Sequence, residues 1–269
     1  MKNLLPRHYV FLGLFVLTAL VMSLNIKLDV EVSENTKRLY GFIDSLPENS
    51  YLIVSFDHEA SSIPEIKPIA TALLKHAFSK GHKLIGLSLF SEGTLIGYRL
   101  MSEIGREYDR KYGQDYVYLG FKPQYIAAIL SMGESIPKTF PKDYLGNKYS
   151  DIPILSGIEN YDDVSAVLSI ADGSLTTHWI EYAGMRYNIA VVAGVAAAMV
   201  TTYDPYLEAG QMHSMIGGLR GAAEYEKMLG YDGGGARAML AQTTAHLYVI
   251  LMIIIGNVIY FRNRKKGIS

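Results

Sequence analysis

Acidic, hydroxyl and basic side chains follow several short apolar runs of this chain, and such residue types can bind a cation or transfer a proton. The candidate residues are Asp57, His58, Ser91, Glu92, Lys122, Asp172, Gly173, Ser174, Thr202 and Asp204. A carboxylate beside a histidine suits general acid–base chemistry, and two or three converging carboxylates suit a divalent cation. We therefore predict a ligand-binding site among these residues, without assigning a catalytic role or a metal ligand to any of them.

The same positions have structural alternatives. Asp172 and the two residues after it are typical of a turn and helix cap, and Asp204 followed by proline is typical of an N-cap and first helical position. The helix start after Asp172 also offers backbone N–H groups to an anionic group. His178 and His213 lie among apolar residues, so we predict that both are packed rather than catalytic.

Stronger catalytic signatures are absent from the sequence. It contains no G-x-S-x-G, no G-x-x-x-x-G-K-[ST] and no H-E-x-x-H, and no G-x-G-x-x-G follows the first predicted strand. Zero cysteines exclude disulfides, thiolate metal ligands and a cysteine nucleophile. Residues 217–221 are glycine-rich and basic, but we predict that they follow a helix, which favours close packing, with Arg220 pairing to Glu224. No cofactor is predicted.

An alternation of strand-like and helix-like patterns must position the candidate residues. Nearly continuous apolar runs at 51–56, 83–90, 116–121 and 164–171 are typical of strands covered on both faces. We predict a Rossmann-like α/β fold, an open, mostly parallel sheet of about five strands with helices on both faces. In strand order 3-2-1-4-5 the crevice falls between the first and fourth strands, and Asp57 would face Asp172 across it.

Some elements are less regular. Residues 189–200 are interpreted as a central strand, with a buried half-helix as the alternative. Residues 62–65 have the form of a capping box, and Pro123 is predicted at the first position of a helix. Residues 134–163 break the alternation and contain three prolines. We predict that this long segment is packed and serves as a lid or a partner surface.

Both ends of the chain are apolar. Residues 238–261 carry no formal charge and are followed by four cations within 262–266, and a run of about 24 residues can cross a hydrocarbon core of about 30 Å. The cations place the C-terminus in the cytoplasm. Residues 9–26 are interpreted as an uncleaved anchor, with a signal peptide cut near Ser23 as the alternative. Both termini are then cytoplasmic and the main domain is extracytoplasmic.

These patterns predict an organisation along the chain. Its parts are an N-terminal anchor at 1–26, a connector at 27–48, an extracytoplasmic α/β domain at 49–230, a glycine-rich joint at 231–237, a transmembrane helix at 238–262 and a basic tail at 263–269. The formal net charge of −1 gives no basic balance that would suggest binding to nucleic acid. The predicted partners are the cell membrane and either other proteins or further copies of the chain.

Two functions fit these predictions. The first is a membrane-anchored extracytoplasmic module that binds a ligand or scaffolds an envelope protein assembly. The alternative is an envelope hydrolase or transferase that uses Asp57, His58 and Asp172 in an acidic strand-end site. The 20 tyrosines are interpreted as amphipathic packing at element edges, with a sugar- or ring-binding surface as the alternative.

Overall fold

Six parallel strands form one sheet in the computed structural model, which describes residues 6–24 and 29–265. The strands are β1 (Tyr51–Asp57), β2 (Lys83–Ser88), β3 (Tyr116–Phe121), β4 (Ala166–Ala171), β5 (Ala190–Val195) and β6 (Ser214–Gly217). Their order is 3-2-1-4-5-6, which reverses between β1 and β4 as in Rossmann-like folds. The predicted α/β class and the order of the first five strands are confirmed.

The helices precede, connect and follow the strands. Those before β4 are α1 (Pro6–Ser23), α2 (Glu34–Ser45), α3 (Ile63–Ser79), α4 (Gly93–Glu107), α5 (Tyr125–Glu134) and α6 (Ile136–Thr139). Those after β4 are α7 (Leu175–Trp179), α8 (Met185–Tyr187), α9 (Val200–Glu208), α10 (Gly218–Leu229) and α11 (Gly234–Lys265). A π-helical turn, Ile180–Gly184, joins α7 to α8.

The chain divides into two units, which we call the helical unit (Met1–Asp29 and Ala236–Ser269) and the sheet unit (Val30–Gly235). The sheet unit has a hydrophobic core on each face of its sheet. Successive residues of β1 alternate between them, with Ile53 in the core under α5, α7 and α9 and Val54 in the core under α2, α3, α4 and α10. Burying an aliphatic side chain of this size contributes about 1.5–3 kcal/mol, so both faces of the sheet stabilise the unit.

The long segment 134–163 is packed, as predicted. Tyr161 is buried and donates its hydroxyl to the Ile129 carbonyl at 2.8 Å. The Tyr144 N–H donates to the Tyr118 carbonyl at 2.8 Å, so the segment covers part of the outer edge of β3, which would otherwise be open to pairing. Tyr144 and Leu145 nevertheless remain 39% and 53% exposed.

The predicted central strand within 189–200 is confirmed as β5, but the predictions for the residues after it were wrong. The sheet has six strands rather than about five because residues 214–217 form β6, where we predicted the end of a helix opened by Asp204 and interrupted near Gly217. Strand β5 ends at Val195, and α9 already begins at Val200. Asp204 is therefore inside a helix and does not cap one. Tyr203 explains the early start, since its side chain is fully buried and its hydroxyl donates to the Gly173 carbonyl at 2.5 Å.

Two predicted helix starts were also wrong. Ser62 makes no side-chain cap bond, and its hydroxyl donates instead to the Glu59 carbonyl at 2.8 Å. Helix α5 begins at Tyr125, so Pro123 is not its first residue. The preceding residue, Gln124, has a φ of 59°, a left-handed conformation that separates proline from the helix.

The helical unit contains α1 and nearly all of α11. Among the described residues, only Gly234–Arg264 forms a helix that is long and apolar enough to cross a membrane. It begins four residues before the predicted Ala238. Helix α1 has 18 residues, or about 27 Å at 1.5 Å per residue, and the N-terminal anchor stays a prediction. The Tyr248 hydroxyl of α11 donates to the Val10 carbonyl of α1 at 3.0 Å.

Candidate functional site

Asp57 lies at the carboxyl end of β1, and its side chain accepts hydrogen bonds from three donors within the sheet unit. Its Oδ1 accepts the Leu89 N–H at 2.7 Å, and its Oδ2 accepts the Ser55 hydroxyl at 2.6 Å and the Trp179 indole N–H at 3.2 Å. The residue is 2% exposed. Burial raises the pKa of the Asp57 carboxyl, and the three hydrogen bonds act against that rise. The carboxyl group thus joins β1 to the loop after β2 and to α7.

Two more of the predicted carboxylates join neighbouring strand-end loops. Asp172 Oδ2 accepts the Glu59 N–H at 2.8 Å, and Glu92 Oε2 accepts the Ala60 N–H at 2.9 Å. Ala60 begins the turn that leads into α3, where backbone N–H groups have no partner within the helix. Carboxylates from the loops after β2 and β4 therefore accept hydrogen bonds from backbone N–H groups of the loop after β1.

A fourth carboxylate of this kind comes from a residue outside the predicted site. Glu65 Oε1 accepts the Ala197 N–H at 2.8 Å, at the turn after β5. Gly218 lies beside the same oxygen, and a Cβ there would be 3.2 Å from it. We call Asp57, Glu65, Glu92 and Asp172 the loop-linking carboxylates. Each bonds a backbone group far away in sequence, so no local pattern could have identified its partner.

Lys122 has a different environment from the other predicted residues. Its Nζ donates to the Thr139 carbonyl at 2.6 Å, at the end of α6, and lies 5.7 Å from the centre of the Phe140 ring. A cation beside the last carbonyl groups of a helical turn is favourable. Lys122 therefore holds the start of segment 134–163 against the end of β3.

The remaining predicted residues take part in turns and packing. His58 is buried, with Nδ1 3.1 Å from the Glu59 carbonyl. Ser91 and Ser174 are exposed, and their backbone carbonyls accept N–H groups three residues later. Thr202 is exposed on α9. None of these contacts brings the hydroxyl groups to Asp57.

Of the two histidines that we predicted to be packed, His178 is partly buried, whereas His213 is exposed and contacts an aromatic ring on one side. The His178 ring lies 4.7 Å from the Tyr125 ring and 6.0 Å from the Tyr182 ring. The His213 ring lies 4.2 Å from the Phe42 ring, and burial lowers the pKa of His213. Both rings contribute to packing between elements.

A shared cation site between Asp57 and Asp172 is not formed by the described residues. Asp57 pairs in register with Ala171, so the backbone brings Asp172 to the adjacent strand end. The two carboxylates bond different donors, however, and no group of three or more His, Asp or Glu side chains in the described part of the chain is arranged to hold a metal ion. The topology confirms the placement of these residues at one edge, while their predicted role as a ligand site stays a prediction.

The predicted pair of Arg220 and Glu224 is present. Arg220 Nε donates to Glu224 Oε1 at 2.9 Å. Glu224 is nearly buried, and its Oε2 also accepts the Ser33 and Thr36 hydroxyls at 2.6 and 2.7 Å. This carboxylate therefore fixes the start of α2 on α10. The glycine-rich stretch around Arg220 follows β6 rather than a helix, which corrects the prediction.

Comparison with known proteins gives no assignment for this arrangement. No protein-family model matches the chain, and no curated protein or solved structure is significantly similar to it.

Proposed function

We propose that this chain is a membrane-anchored, extracytoplasmic α/β module that binds a ligand or scaffolds an envelope protein assembly. The observation that carries the proposal is the bonding of Asp57, Glu92 and Asp172 to backbone N–H groups of neighbouring loops. A general acid or base must reach the proton that it transfers. Carboxylates that hold loops together instead give the strand-end edge a fixed shape, which suits binding.

Helix α11 supports the membrane anchor. Its residues 247–261 include many exposed large apolar side chains, among them Leu247, Ile250, Ile254 and Ile259. In water such a surface is unfavourable, whereas in a bilayer it contacts hydrocarbon. The cations that follow at 262–266 favour a cytoplasmic C-terminus.

Contacts within the helical unit support α1 as the second anchor. The bond from Tyr248 to the Val10 carbonyl is accompanied by close packing at Gly13, where a Cβ would lie 2.5 Å from the Tyr248 hydroxyl oxygen. Small residues that permit such approach are typical of helix pairs in membranes. A segment that fits α11 in this way is better explained as a retained helix than as a cleaved signal peptide.

The enzyme alternative rests on Asp57, since a raised pKa in a carboxyl group is a common property of catalytic acids. The burial of the two side chains favours the enzyme alternative less than the binding module. Asp57 and His58 are each only 2% exposed, so a substrate could contact them only after the strand-end loops had opened. We therefore rank the hydrolase or transferase second.

Topology can be tested because the chain has no cysteine. Ser150→Cys, an exposed site in segment 134–163, and Ser269→Cys each give one reactive thiol. A membrane-impermeant maleimide applied to intact spheroplasts is expected to label the first variant at once and the second only after permeabilisation. The unsubstituted chain is the blank. Labelling of Ser269→Cys alone in intact spheroplasts would reverse the proposed orientation.

The choice between a binding module and an enzyme can be tested with divalent cations. Full-length chain in lipid nanodiscs is expected to keep the same melting temperature in Mg²⁺, Mn²⁺ and Ca²⁺, because Asp57 and Asp172 already hold protein donors. A stabilisation by one cation that both Asp57→Asn and Asp172→Asn abolish would establish a shared ion site and favour the enzyme. The mass of the purified chain shows whether residues 1–23 are still present, and so tests whether the N-terminal segment is retained as an anchor.

A further inference from the structure

A groove with a volume of about 580 Å³ lies between α4 and the turn before β3. Its size falls within the roughly 300–1,000 Å³ range of small-molecule sites. Tyr98, Tyr112 and Tyr116 line it, together with Leu145 from segment 134–163. None of the loop-linking carboxylates contributes to the groove, so it is separate from the strand-end edge.

The tyrosine wall of the groove is held in place by its own contacts. The Tyr112 hydroxyl donates to Asp143 Oδ2 at 2.8 Å, and the Tyr112 and Tyr116 rings meet edge to face at 5.3 Å. Gly105 of α4 lies directly on the Tyr116 ring, where a Cβ would be 2.8 Å from a ring carbon. The rings therefore need little ordering when a ligand binds, which favours affinity.

A second aromatic contact fixes the other end of this wall. The Tyr98 ring lies 4.8 Å from the Tyr144 ring and 5.9 Å from the Tyr118 ring. Segment 134–163 supplies both Tyr144 and the neighbouring Leu145, whose side chain is 53% exposed. Leu145, one of the exposed residues of this segment, thus lies at the groove.

The charged side chains beside the tyrosines have both signs, so an ionic ligand of either sign would meet at least one repelling group. Arg99, Glu103 and Arg106 line the groove from one side of α4 and are exposed, four and three residues apart, as neighbours on a helix surface are. An anion would meet the Glu103 carboxylate, and a cation would meet two guanidinium groups. A neutral ligand with hydroxyl groups can donate to the carboxylate and accept from both guanidinium groups.

We propose that this groove binds a neutral saccharide chain. The apolar C–H face of a pyranose ring would stack on the Tyr98 and Tyr112 rings, whose apolar faces suit such contact. Its hydroxyl groups would bond Arg99, Glu103 and Arg106. The inference deepens the binding role proposed above and rests on it, since it names the ligand class of a module without assigned catalysis.

The test uses full-length chain in nanodiscs made without glycolipid or glycoside detergent, because a detergent sugar would occupy the groove. Isothermal titration with cellohexaose, maltohexaose and hexa-N-acetylchitohexaose, all neutral, is expected to give saturable binding of at least one of them. Tyr98→Ala and Arg99→Ala are each expected to weaken that binding about tenfold or more, which is a change of about 1.4 kcal/mol. Tyr98→Phe, which keeps the ring face, is expected to retain it.

Tyr125→Ala is the control, since Tyr125 is an exposed tyrosine outside the groove. Equal affinity of wild type and Arg99→Ala would overturn the site even if Tyr98→Ala failed to fold, because the Arg99 side chain is exposed. A folded chain that binds none of the three saccharides would overturn the ligand class. Neither outcome alters the maleimide pattern, so failure of this inference is distinguishable from failure of the membrane-anchored role.

Discussion

Replacement of Asp57 by alanine removes one acceptor from three buried donors at once. The Ser55 hydroxyl can turn toward another acceptor, whereas the Leu89 amide and the Trp179 indole cannot. A buried donor left without a partner costs about 1–3 kcal/mol, so the two fixed donors together cost about 2–6 kcal/mol. Removal of a buried acidic group offsets part of this loss, because burial disfavours its charged form. We expect a net destabilisation of about 2–4 kcal/mol.

Thermal unfolding of the full-length chain in nanodiscs, followed by circular dichroism at pH 7, measures this loss. For a domain of this size each kcal/mol lowers the midpoint by about 2–4 °C, so we expect a decrease of roughly 5–15 °C. Ser55→Ala is the matched control and is expected to cost about 1 kcal/mol. If Asp57→Ala were as stable as wild type or more stable, the buried carboxyl group would not contribute to the free energy of unfolding or would lower it. That result would refute its linking role and favour the enzyme alternative.

Because the pKa of Asp57 is raised, we expect the stability of the fold to depend on pH with a sign that is unusual for an aspartate. Burial raises the pKa of Asp57 in the folded state, so the folded chain retains a proton that the unfolded chain has already released. Between the unfolded pKa, about 3.9, and the higher folded pKa, stability from this group therefore falls as pH rises. Asp57→Asn is expected to remove that part of the pH profile.

Two further predictions concern other parts of the sheet unit. Burial lowers the pKa of His76 to about 4, so the unfolded chain binds the proton first and acid removes about 3 kcal/mol of stability between pH 6.5 and 4. His76→Gln is expected to flatten this loss in urea titrations at a series of pH values, and an unchanged slope would contradict it. The helical glycines Gly41 and Gly97 differ in surroundings, with open space at Gly41 and a Phe56 ring carbon 2.5 Å from a Cβ at Gly97. In urea unfolding, alanine is expected to stabilise by about 0.5–1 kcal/mol at Gly41 and to destabilise by about 1–3 kcal/mol at Gly97; equal effects would refute this.

The sheet was predictable where its signal is local. Strands β1 to β4 are buried on both faces, and such burial requires nearly continuous apolar runs that are visible in the sequence. Strand β6 has only four residues, Ser214–Gly217, and its strand character comes from pairing with β5. A pattern of that length does not distinguish a strand from part of a helix.

The placement of the candidate residues was predictable for a different reason. Parallel strands bring their carboxyl ends to one edge, so Asp57 and Asp172 had to lie near each other once the order was known. Their bonding partners were not predictable. Leu89 is 32 residues from Asp57 and Trp179 is 122 residues from it, and no spacing rule relates such distant positions.

This difference explains why residue type alone drew attention to the strand-end residues and not to the groove along α4. An acidic residue after a strand has the same appearance in sequence whether its oxygens meet a ligand or a backbone N–H. In the sheet unit, Asp57 and Asp172 hold such protein donors, whereas Arg99 and Glu103 keep their charged groups exposed beside a fixed tyrosine wall. Polar groups that the fold leaves exposed beside fixed aromatic rings can contact a ligand without any rearrangement. A ligand in the proposed groove along α4 would therefore bind at a lower ordering cost than one at the strand-end edge, where loop-linking bonds would first have to break.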